Sequence, residues 1–219
     1  MTRRSALSIP TVIAAFGVAE SVSGQGGPIS VSFAGNHAGT LPAEFSMART
    51  GAGAPAGWKV VEDATVAAGR VLVQTSTDRT DYRFPLAIYQ PVTAVNLEVT
   101  VRLKAFAGDI DRAGGIAVRL LDPDNYYVVR ANALEDNVNL YRVIKGRRTE
   151  IRGTRQKVSS GAWHTLELRA EADRFTVSFD GAELFSASDR SLTGAGRVAL
   201  WTKADSVTWF DALTIQTLA

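Results

Sequence analysis

The sequence predicts an all-β fold, a two-sheet antiparallel β-sandwich, and three observations lead to this prediction. Apolar and polar residues alternate in roughly a dozen short segments, which is the period-2 pattern of strands with one buried face. Turn-forming residues recur between these segments at the spacing expected of a sandwich. Between Gln25 and Ala219 no apolar stripe has a helical period, and no internal repeat occurs. We therefore expect two stacked sheets around one core.

The first residues have the layout of an export signal. A basic pair is followed by an apolar run broken by Pro10 and then by small residues ending at Gly24. This apolar run is too short and too interrupted to be a membrane span of about 20 residues. A buried N-terminal helix is the alternative interpretation. We predict a signal peptide over residues 1–24, a single domain over 25–219, secretion or a periplasmic location, and no membrane span in the mature protein.

Charge and cysteine content exclude several classes of protein. The 219 residues include 24 Lys and Arg against 22 Asp and Glu, a formal net charge of +2, and no long basic tract. A nucleic-acid partner is therefore not expected. The chain has no cysteine, which excludes disulfides, thiolate metal sites and a cysteine nucleophile.

Short apolar segments predict the first strands, some of them edge strands, at residues 29–33, 45–48, 60–61, 70–74 and 82–89. Pro85 splits the last of these, and we interpret it as the mark of an edge strand or a bulge. Residues 96–106 alternate cleanly, with Leu97 and Leu103 at the ends of the apolar set. This segment is predicted to be a strand with one buried face.

Residues 114–152 predict a β-meander of successive antiparallel strands. In its first strand Ile116, Val118 and Leu120 are predicted to face the core, with Arg119 on the opposite face. Turns are predicted at residues 122–125, where Asp and Pro favour a turn, and at residues 145–146. The outward face is predicted to carry an unusual mixture of guanidinium, amide and phenol groups.

The remaining strands follow the meander. Residues 163–170 and 175–179 form a predicted hairpin with its tip at residues 172–174. Asp180-Gly181 is the strongest hairpin signal in the chain, because this pair tolerates the positive φ angles of the tight hairpin turns. Residues 182–185 complete that hairpin, and residues 197–203 and 206–217 are the last two predicted strands.

Three stretches carry a family resemblance: DPDNYYVVR, WHTLELRAEADRFTVSFDG and GRVALWTKADSVTWFDAL. With the order of the elements, they make most of residues 29–218 resemble the concanavalin A-like lectin/glucanase jelly rolls. The laminin-G-like type is the most similar, including the bacterial exported domains named for 3-keto-disaccharide hydrolases. The resemblance implies two curved sheets, a ligand site on the concave sheet or the loops at its rim, and in some members a structural calcium ion.

The sequence leaves open whether the chain is an enzyme. Glycoside hydrolysis normally needs two carboxyl groups about 5 to 9 Å apart, and the E-x-D-x-E pattern of the family 16 glucanases is absent. Glu167, Glu171 and Asp173 come closest, but they lie around a predicted hairpin tip. His37 and His164 lack metal-ligand spacing. No G-x-S-x-G elbow, P-loop or dinucleotide fingerprint occurs.

The candidate ligand-binding residues are those predicted on the outward face of the meander and of the strand at residues 197–203. Aromatic rings pack against the C–H face of a sugar, and Arg and Asn supply donors and acceptors to its hydroxyl groups. The alternative is a half-wet sheet face on which these side chains pair with one another. The candidates are Arg119, Tyr126, Arg130, Asn132, Asn139, Tyr141, Trp201 and Lys203.

One residue is a candidate metal ligand. Asp211 follows Phe210 in the last strand, in the F-D pattern that the resemblance associates with calcium. Its predicted partners are backbone carbonyls near residues 29–34. A turn-capping or solvent-facing aspartate is the alternative interpretation, and no other cofactor is predicted.

These observations lead to three hypotheses of function. The first is an exported carbohydrate-binding domain that recognises a glycan or glycoside on the concave sheet face. The second is a glycoside hydrolase that acts on 3-keto-disaccharides or other unusual glycosides. The third is an envelope adhesion or scaffold domain. The lack of a recognisable pair of carboxylates favours binding over catalysis.

Overall fold

A computed structural model describes residues 27–219, which form fifteen β-strands and no helix. The predicted signal peptide, residues 1–24, lies outside this part of the chain. Within it, no helix has the length and hydrophobicity needed to cross a membrane.

The strands form two antiparallel sheets, as the alternation predicted. We call the eight-stranded sheet the backing sheet and the seven-stranded sheet, which contains the meander, the rolled sheet. The backing sheet has the order β13-β12-β11-β6-β15-β4-β3, with β1 also paired to β15. Its strands are β1 (Ile29–Val31), β3 (Trp58–Glu62), β4 (Arg70–Gln74), β6 (Leu97–Ala107), β11 (His164–Glu171), β12 (Arg174–Phe179), β13 (Ala182–Ser188) and β15 (Val207–Thr217).

The rolled sheet has the order β10-β9-β8-β7-β14-β5-β2. Its strands are β2 (Phe45–Gly51), β5 (Arg83–Ala94), β7 (Ala113–Asp122), β8 (Asn125–Asn132), β9 (Asn137–Ile144), β10 (Arg147–Arg155) and β14 (Gly196–Thr202). The fold class, a two-sheet antiparallel β-sandwich, is confirmed.

The main core lies between the inner faces of the two sheets. Strand β6 contributes Leu97, Val99, Val101 and Leu103, all fully buried, so the predicted buried face of this strand is correct. These side chains belong to the same cluster as Val129 and other apolar residues of the rolled sheet. Burial of this apolar surface, at roughly 25 cal/mol per Å², is the main stabilising contribution available to a chain without disulfides.

The predicted tight turns are confirmed by their backbone angles. Lys145 and Gly146 have φ angles of 50° and 73°, and Asp180 and Gly181 have φ angles of 49° and 80°. Positive φ at both central residues is the requirement of a two-residue turn whose twist matches the flanking strands. These turns therefore set the register of β9 with β10 and of β12 with β13.

The interpretation of Pro85 was wrong. This residue lies in β5, between β14 and β2, and it pairs with Arg49 of β2 without a register shift. The pairing of β5 with β14 begins only at Leu86. The missing N–H of proline therefore leaves no break in that ladder, and an interior strand tolerates it.

The predicted alternation also fails late in β7. Between Ala117 and Leu120 the strand has one residue more than the facing segment of β14, which is a β-bulge, and Arg119 within it has a φ of 48°. An extra residue reverses the direction of the side chains that follow it. Leu120 therefore lies on the face of the rolled sheet that is turned away from the main core, which we call the concave face.

The rolled sheet curls until two of its diagonal corners meet. Thr50 of β2 and Tyr126 of β8 are four strands apart, about 19 Å across a flat sheet at the usual strand spacing. Their hydroxyl oxygens are nevertheless 2.8 Å apart. Thr50 also donates a hydrogen bond to the carbonyl of Pro123, at 2.5 Å, and the Tyr82 hydroxyl accepts one from the Arg148 N–H, also at 2.5 Å.

The closed roll encloses a second apolar cluster, which we call the concave core. Trp201 at its centre is completely buried and stacks on Phe84 with ring centroids 5.2 Å apart. The buried members of the concave core are Phe84, Leu86, Ile88, Ala113, Ala117, Leu120, Tyr126, Val128, Tyr141, Val143, Ala199 and Trp201. The concave face of the rolled sheet is thus largely apolar.

Candidate functional site

Seven of the eight predicted ligand-binding residues do lie on one face, the concave face of the rolled sheet. Strands β8, β9 and β14 position six of them, because in each strand alternate residues face the same side, and Lys203 directly follows β14. Hydrogen bonds, ion pairs and ring contacts join these residues or link them through shared partners. The seven are Tyr126, Arg130, Asn132, Asn139, Tyr141, Trp201 and Lys203.

Arg119 is the exception, and its predicted place on this face was wrong. The bulge in β7 directs its guanidinium to three backbone carbonyls, those of Val95, Ala172 and Leu192. Its side chain also lies 5.2 Å from the ring centroid of Phe175, a residue of the main core. Arg119 therefore ties together strand ends and loops and is separated from the other candidates.

The prediction that the concave face is wet was also wrong. Tyr126 and Trp201 are fully buried, and the Trp201 Nε1–H donates to the Tyr126 hydroxyl at 3.2 Å. Burial raises the pKa of the Tyr126 phenol. The curl of the sheet is the physical reason, since diagonal contacts such as that between Thr50 and Tyr126 close the face. These two residues form a buried floor.

Polar groups gather at one end of the concave core, and we call this cluster the polar rim. Arg130 donates from Nη2 to Glu135 at 2.7 Å and lies 3.9 Å from the carboxylate of Asp111. Asp111 accepts from Asn132 at 2.9 Å and lies 3.0 Å from the ammonium of Lys203. Arg130 is only 2% exposed, so these contacts replace water around a charged group.

Charge pairing sets the ionisation of two groups of the polar rim, whereas burial raises the pKa of a third, Asp111, despite the nearby charges of Arg130 and Lys203. Burial acts to raise the pKa of Glu135, but Arg130 and the amide of Asn137 outweigh it and lower that pKa. Burial acts to lower the pKa of Lys203, but the carboxylates of Asp81 and Asp111 outweigh it and raise that pKa. Glu135 and Lys203 are therefore held in their charged forms at neutral pH.

Sequence reasoning missed the carboxylates of the polar rim. Asp111 lies in the loop before β7 and Glu135 in the turn after β8, and no spacing pattern links them. Glu150 accepts a hydrogen bond from Asn139 at 2.9 Å. The two-residue turn at Lys145-Gly146 places Glu150 opposite Tyr141. The register of this hairpin was the one signal that could have revealed Glu150.

An open cleft lies where the two corners of the rolled sheet meet, and we call it the seam cleft. Its volume is about 650 Å³, within the usual range of small-ligand sites. Tyr82, a residue that is 42% exposed, supplies an aromatic ring to this cleft. The cleft is lined by Arg49, Gly51, Tyr82, Asp124, Lys145, Gly146, Arg147 and Arg148.

Arg148 connects the seam cleft to the concave core. Its guanidinium carbon lies 4.5 Å from the ring centroid of Tyr141, 4.8 Å from that of Phe84 and 5.8 Å from that of Trp201. Cation–π contacts of this kind hold a guanidinium without a carboxylate partner. The cleft is therefore the accessible edge of the face on which ligand binding was predicted.

Asp211, the predicted calcium ligand, is buried and ion-paired. Its carboxylate lies 2.6 Å from Nη1 of Arg102. The predicted carbonyl partners belong to the neighbouring strand, since Val31 pairs with Leu213. Across residues 27–219, no three His, Cys, Asp or Glu side chains cluster as a metal site would require. Such a cluster is not needed where backbone oxygens are ligands, and calcium binding at Asp211 stays a prediction.

His164 contributes to structure. Its Nδ1 lies 2.8 Å from the Asp180 carboxylate, and its ring stacks on Phe179 with centroids 4.9 Å apart. Both neighbours belong to the hairpin of β12 and β13. The imidazole therefore supports a turn, on the side of the sandwich formed by the backing sheet.

Comparison with known proteins confirms the fold. No family model matches the chain, and no curated protein matches it significantly. Among solved structures, the carbohydrate-binding module CBM66 from Bacillus subtilis superposes with a TM-score of 0.62 at 17% identity, over 76% of this chain and 94% of that one. A Bacillus licheniformis β-glucanase does so with a TM-score of 0.56 at 11% identity, over 88% and 99%.

A third similar structure is domain 4 of AbnA, a GH43 extracellular arabinanase from Geobacillus stearothermophilus, solved in complex with arabinotriose. Its TM-score is 0.55 at 17% identity, over 86% of this chain and 90% of that one. At these identities the similarity concerns the fold. The chain has the concanavalin A-like lectin/glucanase jelly roll that its sequence resembles.

Proposed function

We propose that this concanavalin A-like chain is a carbohydrate-binding domain that holds a glycan in the seam cleft. The observation that carries the proposal is the exposed aromatic residue Tyr82 in a cleft of about 650 Å³ lined by several hydrogen-bonding side chains. An aromatic ring offers an apolar face to the C–H groups of a sugar, while Arg, Lys and Asp bind its hydroxyl groups. Two similar structures, a carbohydrate-binding module and an arabinanase domain solved in complex with arabinotriose, support the same class of ligand.

The proposed site differs from the one that the sequence suggested. Tyr126 and Trp201 cannot stack on a sugar while the corner contacts of the rolled sheet bury them. The seam cleft borders the same concave face through Arg148 and is open. Export by the predicted signal would bring this cleft to extracellular or periplasmic glycans.

Replacement of Tyr82 tests the proposal. We expect Tyr82→Ala to weaken binding to soluble polysaccharides about tenfold, because aromatic packing contributes about 0.5–1.5 kcal/mol and 1.4 kcal/mol corresponds to a factor of ten. Tyr82→Phe keeps the ring and should retain most of the affinity. Binding is measured by affinity electrophoresis and calorimetry across neutral and acidic polysaccharides.

Phe106→Ala is the matched control, since Phe106 is an exposed aromatic residue of the backing sheet, outside the cleft. Thermal unfolding shows whether each variant is folded. Equal affinities of Tyr82→Ala and Phe106→Ala would place the ligand elsewhere. Failure of the unaltered protein to bind any polysaccharide would refute the proposed function.

Glycoside hydrolysis is a second candidate, favoured by the carboxylates that the fold brings to the polar rim. Glu135 and Glu150 are exposed and hydrogen-bonded to residues of the concave face. Two carboxyl groups beside a bound glycoside are the usual requirement of this reaction. Release of reducing ends or of a 3-keto-sugar in the same assays, abolished by Glu135→Gln or Glu150→Gln, would establish an enzyme.

A further inference from the structure

The charge of the seam cleft is unlike that of the chain as a whole. The cleft is lined by four cationic side chains, Arg49, Lys145, Arg147 and Arg148, and by one carboxylate, Asp124. The whole chain carries 24 basic and 22 acidic residues. The cleft thus has four basic residues for one acidic residue, whereas the chain has nearly equal numbers of each. This excess of basic residues indicates a strongly positive local potential.

These four cations also have no carboxylate partner in the described part of the chain. Within residues 27–219, none of them forms an ion pair with a carboxylate, whereas Arg130 and Lys203 of the polar rim are each paired with carboxylates. Arg49 donates to the backbone carbonyls of Gly51 and Gly53, which orient its guanidinium without neutralising it. The cleft therefore keeps its positive charge available to a ligand.

Arg148 shows how a cation is fixed there without a counter-charge. Its guanidinium packs on Tyr141 and Phe84, and its backbone N–H donates to the Tyr82 hydroxyl. Its Nη1 is buried and has no hydrogen-bond partner among the described residues. A buried donor without an acceptor carries a desolvation cost. The aromatic contacts thus hold in place a charge that is left uncompensated.

The form of the cleft favours a compact ligand over a long polyanion. Its volume suits a sugar unit or two. The concave face continues to a polar rim that carries Asp111, Glu135 and Glu150, so the positive surface does not extend along the face. A nucleic-acid backbone requires a basic surface that follows many phosphates.

We infer that the seam cleft selects an acidic saccharide, one whose carboxylate or sulfate lies against Lys145, Arg147 and Arg148 while its ring packs on Tyr82. This inference rests on the proposed function, because it specifies the ligand of the same site. An anionic group would gain charge-assisted hydrogen bonds there, which are roughly twice as strong as neutral ones. A neutral sugar would leave the four cations uncompensated.

Two oligosaccharide probes with the same sugar backbone test the inference. Oligogalacturonate and its methyl ester share one sugar backbone and differ in whether the carboxyl groups are charged or methylated, and calorimetry with each at low and high salt gives affinity and salt dependence. We expect at least tenfold tighter binding of the acid, lost in high salt as exposed charges are screened. A sulfated oligosaccharide of similar length distinguishes a sulfate from a carboxylate as the preferred group.

Variants of the seam cleft show which residues cause the preference for an acidic saccharide. The double variant Lys145→Gln, Arg147→Gln should bind the acid at least tenfold more weakly and with less salt dependence, and its affinity for the acid should fall by more than its affinity for the ester. Arg155→Gln is the matched control, because Arg155 is an exposed arginine of the same strand, β10, outside the cleft. Circular dichroism confirms that each variant is folded.

The possible results separate this inference from the proposed function. Equal, salt-independent binding of acid and ester would overturn the selection of acidic saccharides and leave a carbohydrate site. Absence of binding to any saccharide would overturn both proposals. Tighter binding of a short oligonucleotide than of either acidic saccharide would identify the cleft as a phosphate site instead.

Discussion

At the scale of single residues, one carboxylate fixes the loop after β13 to the main core. Tyr127, fully buried, donates its hydroxyl to Asp189 at 2.7 Å, and Arg142 approaches the other carboxylate oxygen at 2.6 Å. The Ser191 N–H donates to the same carboxylate, at 2.8 Å. Burial, followed by the Asp189 bond, raises the pKa of Tyr127 to about 12. These contacts make Asp189 a structural residue.

Replacement of Asp189 should give a pH-dependent loss of stability. Burial acts to raise the pKa of Asp189, but bonds from Tyr127, Ser191 and Arg142 outweigh it and lower that pKa below its ordinary value of 3.8. A lowered pKa stabilises the fold above the ordinary value, and this stabilisation is lost as the pH falls through the folded-state pKa. We expect Asp189→Asn to lower the free energy of unfolding at pH 7 by about 1–3 kcal/mol.

Urea unfolding across pH checks this expectation. The difference between the unaltered protein and Asp189→Asn should shrink as the pH falls below about 4. Glu44→Gln, at an exposed carboxylate, is the control. A difference that stays constant down to about pH 2 would contradict the role assigned to the ionised form.

At the scale of the strands, β7 shapes the rolled sheet by its irregularities. Its bulge moves Arg119 away from the concave face and Leu120 onto it. Its Gly115 lies opposite Arg130 of β8, so close that a Cβ atom would be 2.3 Å from the carbonyl oxygen of Val129. The close approach of β7 to β8 therefore depends on the absence of a side chain at this position.

Gly115→Ala should destabilise the protein, because the added methyl group meets backbone that cannot move away without breaking the ladder. Overpacking of this kind costs about 1–3 kcal/mol. Gly35→Ala is the matched control, since a Cβ atom added to Gly35 would have no neighbour within 4 Å and the φ of this residue is not in the left-handed region. Equal free energies of unfolding for the two variants would contradict the tight approach of the strands.

At the scale of the whole molecule, the protein buries a large apolar cluster on the concave face of the rolled sheet in addition to the core between the sheets. The main core lies between the sheets, and the concave core lies inside the curl of the rolled sheet. The contact of Thr50 with Tyr126 and that of Tyr82 with Arg148 close the concave core. The seam cleft exists because these corners meet, so the proposed binding site and the curl of the sheet share one cause.

Leu86→Ala tests whether the concave core is closed in solution. Leu86 is fully buried in that cluster, and truncation of a buried leucine costs about 2–5 kcal/mol. Leu121→Ala is the matched control, because Leu121 is 47% exposed and surface substitutions usually change stability by less than about 0.5 kcal/mol. A small loss for Leu86→Ala in denaturant unfolding would indicate an open concave face.

The sequence by itself determined the strands, most of the turns and the placement of seven candidate residues on one face. The alternation in β6 and the Asp-Gly and Lys-Gly turns are local signals, because each depends on residues within one strand or one hairpin. The order of the elements also predicted the fold class. Local periodicity could not predict the bulge at Arg119, which appears only when β7 is paired with β14.

Only the tertiary structure decided which parts of that face are open. Tyr126 and Trp201 have the sequence pattern of a wet sheet face, yet the curl of the sheet buries them. The seam cleft brings Tyr82 to Arg148, 66 residues along the chain, and the polar rim brings Asp111 to Arg130. The physical reason is that curvature accumulates over seven strands, and its endpoint depends on contacts between segments that no local pattern relates.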